Sequence, residues 1–345
     1  MAPFTRLLER TGLRYLPRDI RGSLAIELPS GATARFGEPG ADGPQAALVL
    51  KDYSVLWAAL RRGALGFAES YMTGRVDSPD LTQLFRFFIH NFPALSQAGR
   101  GVFRARLPDR VWHLARFNSR RGAKRNIEAH YDLGNDFYQL WLDPSMTYSS
   151  AIFDSPHDSL EAAQARKYAR VLAATGVKPG GRILEIGCGW GGFAETAGRA
   201  SIAVDGITLS REQLAFTNAR MAAQGLSNLC QAELRDYRDT SGSYDGIASI
   251  VQAITIAEEF FASYRRKVDF IQRYIFPGGM LLTPRIIQEQ TARAGLRLVA
   301  SDCFADSYAR TLELWRQRFE AAWPAIARLG FDERFRRMWR YYLAY

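Results

Sequence analysis

The strongest chemical signal in the chain is a run of six residues, Gly187-Cys188-Gly189-Trp190-Gly191-Gly192. It follows directly on Ile183 to Ile186, an apolar run that reads as a buried strand ending beside Glu185, and a helical pattern (Phe193, Ala194, Ala197) starts behind it. A turn this tight between a strand and a helix calls for residues without a Cβ. Glycine takes positive φ at no steric cost and lets a ligand lie against backbone amides. No Lys-Ser/Thr pair follows the glycines, so this is not a phosphate-cradling Walker loop. Taken alone, the run is either a ligand cradle or a plain tight turn.

A second chemical stretch lies upstream. Residues 129–150 contain AHYDLGNDFYQLWLDPSMTYSS, in which polar residues stand among many aromatic ones. That mixture suits the lid or wall of a site, where aromatic faces cover an adenine or shelter a cation. Downstream, strands and helices alternate. Ala203 to Thr208 reads as a strand, and Ser210 N-caps a helix to about Gln224 with Gln213 in the capping-box position. Leu229 to Leu234 and Tyr244 to Val251 are further strands. Such alternation predicts a doubly wound parallel sheet with its ligands off the carboxyl ends of the strands. Gly187, Thr208 and Asp236 all fall at such ends.

The rest of the chain must position these groups. At 345 residues it is long enough for two domains. Hydrophobic content of 47% and charged content of 23% belong to a folded protein, and no apolar run approaches a membrane span or a signal-peptide core. Three cysteines without metal spacing (Cys188, Cys230, Cys303) fit a reducing, cytoplasmic setting. The net charge of +10 favours a polyanion, either nucleic acid or an anionic bilayer.

The N-terminal part, residues 1–98, reads as a small α+β domain. Strands Leu24–Leu28 and Ala32–Phe36 flank a Pro29-Ser30-Gly31 turn, and a third runs from Ala46 to Leu50. From Tyr53 the period becomes helical, with Leu56, Leu60, Ala64, Phe67 and Tyr71 on one stripe and Leu81, Leu84, Phe87 and Phe88 on the next. That apolar face is a core by default, with a docking surface for lipid or for the second subunit of a homodimer as the alternative. Residues 99–125 form a basic linker in which nine Arg and Lys residues alternate with Val102, Phe103, Leu107, Trp112, Leu114 and Phe117. This is either a solvated face or an interfacial segment, with cations at the headgroups and aromatics beneath.

HYDLGNDFYQLWLDPSMTYSS, LEIGCGWGGF, GITLSREQ, DFIQRYIFPGGML and LELWRQRFEAAWP together resemble the cyclopropane-fatty-acyl-phospholipid synthases and the related mycolic acid cyclopropane synthases, over nearly the whole chain. Glu-x-Gly-x-Gly-x-Gly likewise resembles the first motif of methyltransferases that use S-adenosylmethionine (SAM). The resemblance implies an α/β fold, with a Rossmann-like SAM-dependent methyltransferase sheet in residues 126–345 behind the small α+β domain. It implies methyl transfer from SAM to the cis double bond of an unsaturated phospholipid acyl chain, at the inner face of a membrane. A carbocation then loses a proton to close a cyclopropane, or is reduced to a methyl branch as in close relatives. Tyr148, Ser149, Glu185 and the loop Gly187, Cys188, Gly189, Trp190 and Gly191 would contact SAM. Thr208 and Gln213 would reach its methionine-ribose side, with Tyr237 and Arg238 at the adenine. A nucleic-acid substrate is disfavoured, because no Asn/Asp-Pro-Pro-Tyr/Phe motif follows the fourth strand.

Departures from the family pattern are localised. Relatives hold a bicarbonate ion as the base, with a Cys, a Glu, a His, a backbone group and a Tyr. Here Ser150 stands at the Cys position, Gln252 at the His position, and Tyr308 matches the Tyr, leaving the Glu without a counterpart. Ser and Gln still hydrogen-bond an anion. IASIVQAITI also passes from the fourth strand straight into what resembles the end of a fifth, with no room for the crossover that parallel neighbours need. Either the two merge into one long strand or the sheet loses a strand. Relatives also continue past the position of Tyr345 with a helical tail. These departures predict weakened turnover, or a lipid-binding remnant of the family.

Overall fold

The computed structural model describes residues 20–40, 42–98, 133–250 and 254–345. The basic linker 99–125, the start of the aromatic stretch through Asp132, and Gln252 lie outside them. The chain divides into two units, one built from its N-terminal part with residues 266–275 and 331–345, the other from 114–265 and 276–330.

In the first unit the predicted hairpin forms. β1 (Ser23–Glu27) pairs antiparallel with β2 (Thr33–Gly37) around Gly31, whose φ of +83° requires glycine. β3 (Gln45–Leu50) runs parallel to β1, and β4 (Val76–Asp77) closes the order β2-β1-β3-β4. α1 (Ser54–Met72) differs from the expected single stripe. Gly63 leaves helical geometry (φ 60°, ψ −140°), which resets the phase. Leu60 and Ala64 are therefore exposed, and Val55, Leu65, Ala68, Tyr71 and Met72 are buried. The break lets the two arms of α1 touch, since a Cβ on Gly66 would lie 2.1 Å from the Ala58 carbonyl oxygen. α2 (Leu81–His90), capped by Asp80, buries Leu81, Leu84 and Phe87 as their spacing predicts, whereas Phe88 stays 39% exposed. A short α3 (Phe92–Ala98) follows.

The C-terminal helix, Glu333–Ala344, groups with this unit, whereas the sequence-based boundary at 126–345 placed it with the parallel sheet. Its Tyr341 ring lies 5.0 Å from Phe85 and 4.4 Å from Phe270. Arg337 donates to the carbonyls of Tyr71 and Val76 (the latter at 2.8 Å) and pairs with Asp77 at 3.2 Å. These carbonyls end α1 and start β4; the Tyr71 carbonyl also accepts from Gly74 N–H at 3.0 Å, so Arg337 adds a donor from a distant helix to a turn that is already bonded locally.

The second unit is the predicted parallel α/β sheet. In chain order its elements are α4 (Asn135–Gln139), α5 (Leu160–Thr175), β5 (Arg182–Ile186), α6 (Gly192–Arg199), β6 (Ala203–Thr208) and α7 (Arg211–Ala223). β7 (Cys230–Leu234), β8 (Gly246–Ala248), α8 (Glu258–Tyr264), α9 (Pro284–Arg293) and α10 (Ala305–Arg328) complete it. The strands run parallel in the order β7-β6-β5-β8. Ser159 caps α5 and Gly176 ends it in a left-handed conformation. Ile183, Val204, Phe193, Ala197 and Met221 fill the core between sheet and helices.

Among the described residues, which leave out 251–253 of IASIVQAITI, the parallel sheet has four strands. β8 spans only Gly246–Ala248, and among the described residues it forms an edge, with Ile247 62% exposed. Past it, Thr255 makes an isolated bridge to Leu282. Residues 296–304 have no regular secondary structure, and Leu296, Leu298 and Val299 are exposed.

Gly66→Ala should destabilise the first unit by about 1–3 kcal/mol, because backbone must move to admit the methyl group. Urea denaturation followed by circular dichroism checks this, and an unchanged midpoint would contradict the contact between the arms of α1.

Candidate functional site

The glycine loop is set by the strands on either side of it. The N–H groups of Gly187 and Cys188 both donate to the Ile207 carbonyl, at 2.9 and 3.1 Å, and Gly191 N–H donates to Cys188 O at 3.0 Å. The expected cradle of successive bare amides is thereby corrected: three of the loop's donors serve the protein itself. Glycine is still demanded. Gly187, Gly189 and Gly191 have φ of +77°, +54° and +81°, and a Cβ on Gly191 would lie 2.8 Å from Thr217 Cγ2. A Cβ on Gly189 would meet nothing within 4 Å, so the loop is open to an approaching molecule at that point.

Glu185 ends β5 next to this loop and is 2% exposed. Among the described residues its Oε2 has no hydrogen-bond partner. Burial pushes its carboxyl up to about 8. Burial and the neighbouring Glu185 push the Cys188 thiol up as well, so it is an inert, protonated group. At the end of β6, Thr208 Oγ1 donates to Gln213 Oε1 at 3.0 Å and accepts from Ser210 N–H at 3.1 Å. Ser210 Oγ accepts from Gln213 N–H at 3.3 Å, the cap expected from the sequence. Both Thr208 and Gln213 are buried.

The aromatic stretch reaches the loop. Trp190 Nε1 donates to Asn135 Oδ1 at 2.7 Å, and the Tyr138 ring lies 5.1 Å from Trp190 and 5.4 Å from Tyr148. Tyr148 in turn stacks on Trp315 of α10 at 5.2 Å. Next to it, Ser149 is held by α5: its carbonyl accepts from Gln164 Nε2 (3.0 Å) and its Oγ from Lys167 Nζ (2.7 Å). Ser150 Oγ donates to the Ala151 carbonyl at 2.9 Å. Ala151 N–H donates to Thr311 Oγ1 and Phe153 N–H to Ser307 Oγ, so the segment after Ser150 lies along the first turns of α10, which carry Tyr308.

Tyr237 and Arg238 are on the same carboxyl edge of the sheet, in a turn capped by Asp236. Both are exposed, and Arg238 is bound to its own neighbour, Nε to Asp236 Oδ1 at 2.8 Å. The structure thus groups Tyr148, Ser149, Glu185, the glycine loop, Thr208 and Gln213 along the sheet's carboxyl ends. It holds Tyr237 and Arg238 in an exposed local pair.

Several polar residues of this region were not singled out from the sequence. Arg220 of α7 donates to Ser145 O (2.8 Å) and Trp190 O (3.2 Å) and pairs with Glu195, tying loop to aromatic stretch. Asp143, Ser145, Thr147 and Tyr168 form a buried hydroxyl chain, with Thr147 Oγ1 2.6 Å from the Tyr168 hydroxyl. The one available signal was Gln164 and Lys167, polar residues three apart on the α5 face that also carries Ala163 and Tyr168. Among the described residues no group of His, Cys, Asp and Glu could hold a metal, and no helix is long and apolar enough to cross a membrane.

Residues 118–269 and 250–345 match the family described as mycolic acid cyclopropane synthetase. The chain is 36% identical over 329 residues to tuberculostearic acid methyltransferase UfaA1 of Mycobacterium tuberculosis, covering 83% of this chain and 75% of that protein. It is 32% identical over 322 residues to cyclopropane-fatty-acyl-phospholipid synthase of Escherichia coli, covering 82% and 79%. Among solved structures it resembles mycolic acid cyclopropane synthase CmaA1 complexed with SAH and CTAB. That match has a TM-score of 0.57 at 26% identity, over 64% of this chain and 91% of that one.

Gly191→Ala should cost about 1–3 kcal/mol, since it combines a left-handed φ with a close approach to Thr217. Adding Thr217→Ser should recover only the steric part. Thermal unfolding of the single and double variants measures both contributions.

Proposed function

The chain belongs to the mycolic acid cyclopropane synthetase family of SAM-dependent methyltransferases, and we propose that it methylates the cis double bond of an unsaturated phospholipid acyl chain and closes the product to a cyclopropane. The observation that carries the cofactor reading is the buried Glu185 carboxylate, with one oxygen unpartnered, beside a glycine loop open at Gly189. A buried carboxylate without a partner is costly, and a ligand with a cationic group offsets that cost. The residues present therefore fit SAM. Glu185, Ser149, Thr208 and Gln213 would hold its polar parts, and Tyr148, Tyr138 and Trp190 would line its sulfonium side. When bound, SAM supplies an electrophilic methyl group.

An alkene is a weak nucleophile, so the protein must exclude water and shelter a developing cation. Aromatic faces do both without trapping the cation. The mutually packed rings of Tyr138, Trp141, Tyr148, Trp190 and Trp315 suit that task. Methyl transfer forms a bond from the methyl carbon to one alkene carbon and leaves the other cationic; loss of a proton from the new methyl group then closes the ring. Ser150 and Tyr308 would hold a bicarbonate ion as the proton acceptor, with Gln252 as a further donor. A second reading, in which a hydride donor from outside the chain reduces the cation to a methyl branch, is supported by the 36% identity to a tuberculostearic acid methyltransferase. Mass spectrometry of lipids from cells expressing the chain separates the two, the branched product being heavier by two hydrogens.

Calorimetry with SAM and with its demethylated product tests the cofactor reading. Glu185→Gln should weaken SAM binding about tenfold or more, the size of a lost charge-assisted contact. Because the free carboxyl is held up to about 8 and must ionise to pair with a cation, wild-type affinity should rise from pH 6.5 to 8.5. The variant should lack that rise. No heat from folded protein would remove the reading.

The lipid is reached from a membrane, and the +10 charge suits an anionic leaflet at the cytoplasmic face. The protein should co-sediment with phosphatidylglycerol vesicles at low salt and release at high salt, binding neutral vesicles weakly. Equal binding to an oligonucleotide under the same conditions would favour a non-specific polyanion surface instead.

A further inference from the structure

We propose that Lys167 is a positioning residue that orients the Ser149 hydroxyl to donate a hydrogen bond into the SAM site. This rests on the reading of Ser149 as a SAM contact. Two residues three apart on α5 converge on Ser149, Gln164 on its carbonyl at 3.0 Å and Lys167 Nζ on its Oγ at 2.7 Å. Lys167 is only 4% exposed. Among the described residues Ser149 Oγ is its hydrogen-bond partner, and no carboxylate is within ion-pair distance.

The cost of that arrangement is the reason to look for a function. A lysine stem ordinarily carries its ammonium out to water. Here burial pushes the amine down to about 7, against the opposing pull of Asp143, so the charged form is poorly solvated. Methionine would fill the same space without that penalty. What methionine cannot do is donate. An ammonium has donors and no acceptor, so Ser149 Oγ must accept from it, and the serine's own proton then points elsewhere. The structure gives that proton no acceptor among the described residues, which leaves it for a ligand oxygen. The carboxylate of an amino-acid moiety, as in SAM and its demethylated product, is such an acceptor.

The groups facing Lys167 are few. Asp143 and Ser149 come from the aromatic stretch, and Tyr168, on the same helix, has its ring 4.9 Å from Nζ. Glu185 and Arg220 act on Tyr168 rather than on the amine. Asp143 accepts from Ser145 through Oδ2 while its Oδ1 has no hydrogen-bond partner among the described residues, and its charge is the one that opposes burial at the amine.

Calorimetry with SAH on wild type, Lys167→Met, Ser149→Ala and the double variant tests this, together with thermal unfolding of each. Lys167→Met should melt higher than wild type yet bind SAH about tenfold more weakly, the scale of one charge-assisted hydrogen bond. In the Ser149→Ala background the same change should have no further effect on affinity. The affinity ratio between wild type and Lys167→Met should shrink as pH rises past 7, where the amine loses its proton. A residue that merely props the fold would lower the melting temperature, and its effect would add to that of Ser149→Ala. Unchanged affinity in Lys167→Met, with wild type binding SAH normally, overturns the role of Lys167 alone. Wild-type protein that is folded and binds no SAH overturns the site reading and this proposal together.

Discussion

One carbonyl organises the second unit. Ile207 O, in β6, accepts from both Gly187 and Cys188 as the chain leaves β5. That bond exists because β5 and β6 are parallel neighbours in register, Ile186 opposite Ile207. It ends the strand, bends the loop and sets where α6 begins. It also decides which side of the loop remains open, since amides engaged with the strand cannot face a ligand. A glycine loop without this pairing would be a flexible connection; with it, the loop is one wall of a site.

The opposite wall is held by a different kind of force. Tyr138, Trp141, Tyr148, Trp190 and Trp315 pack ring to ring, and apolar burial on that scale is worth several kcal/mol. Beneath the rings lie groups that a stability-driven design would avoid: Glu185, Lys167, Asp143 and the hydroxyls of Ser145, Thr147 and Tyr168. Burial disfavours the charged forms of Glu185 and Lys167, so neither residue is there to strengthen the fold. Charged groups buried at such a cost are the kind that functional sites collect. Arg220 limits the loss by fastening the loop to the aromatic stretch through two carbonyls.

The short β8 shows the limit of what four strands can organise. Its outer edge has no partner among the described residues, and residues 296–304, which carry Leu296, Leu298 and Val299, lie exposed without regular structure in the same unit. Exposed edges and apolar runs of this sort favour association over solubility. In the first unit, by contrast, a helix distant in sequence fastens the end of α1 to β4, because Arg337 donates to the carbonyls of both Tyr71 and Val76.

Much was legible from the residues alone. The glycine run after an apolar strand, the α/β alternation and the cap at Ser210 are all local patterns, fixed by φ preferences and periodicity. Tertiary structure decided the rest. Which loop amides stay free depends on Ile207, twenty residues away; the stripe on α1 fails because one glycine resets its phase; the last helix joins the first unit through Arg337. The exposure of Tyr237 and Arg238, and the burial of Lys167 against Ser149, likewise follow from which elements meet. Such properties arise from groups brought together across the chain, and residue type and spacing do not encode those meetings one segment at a time.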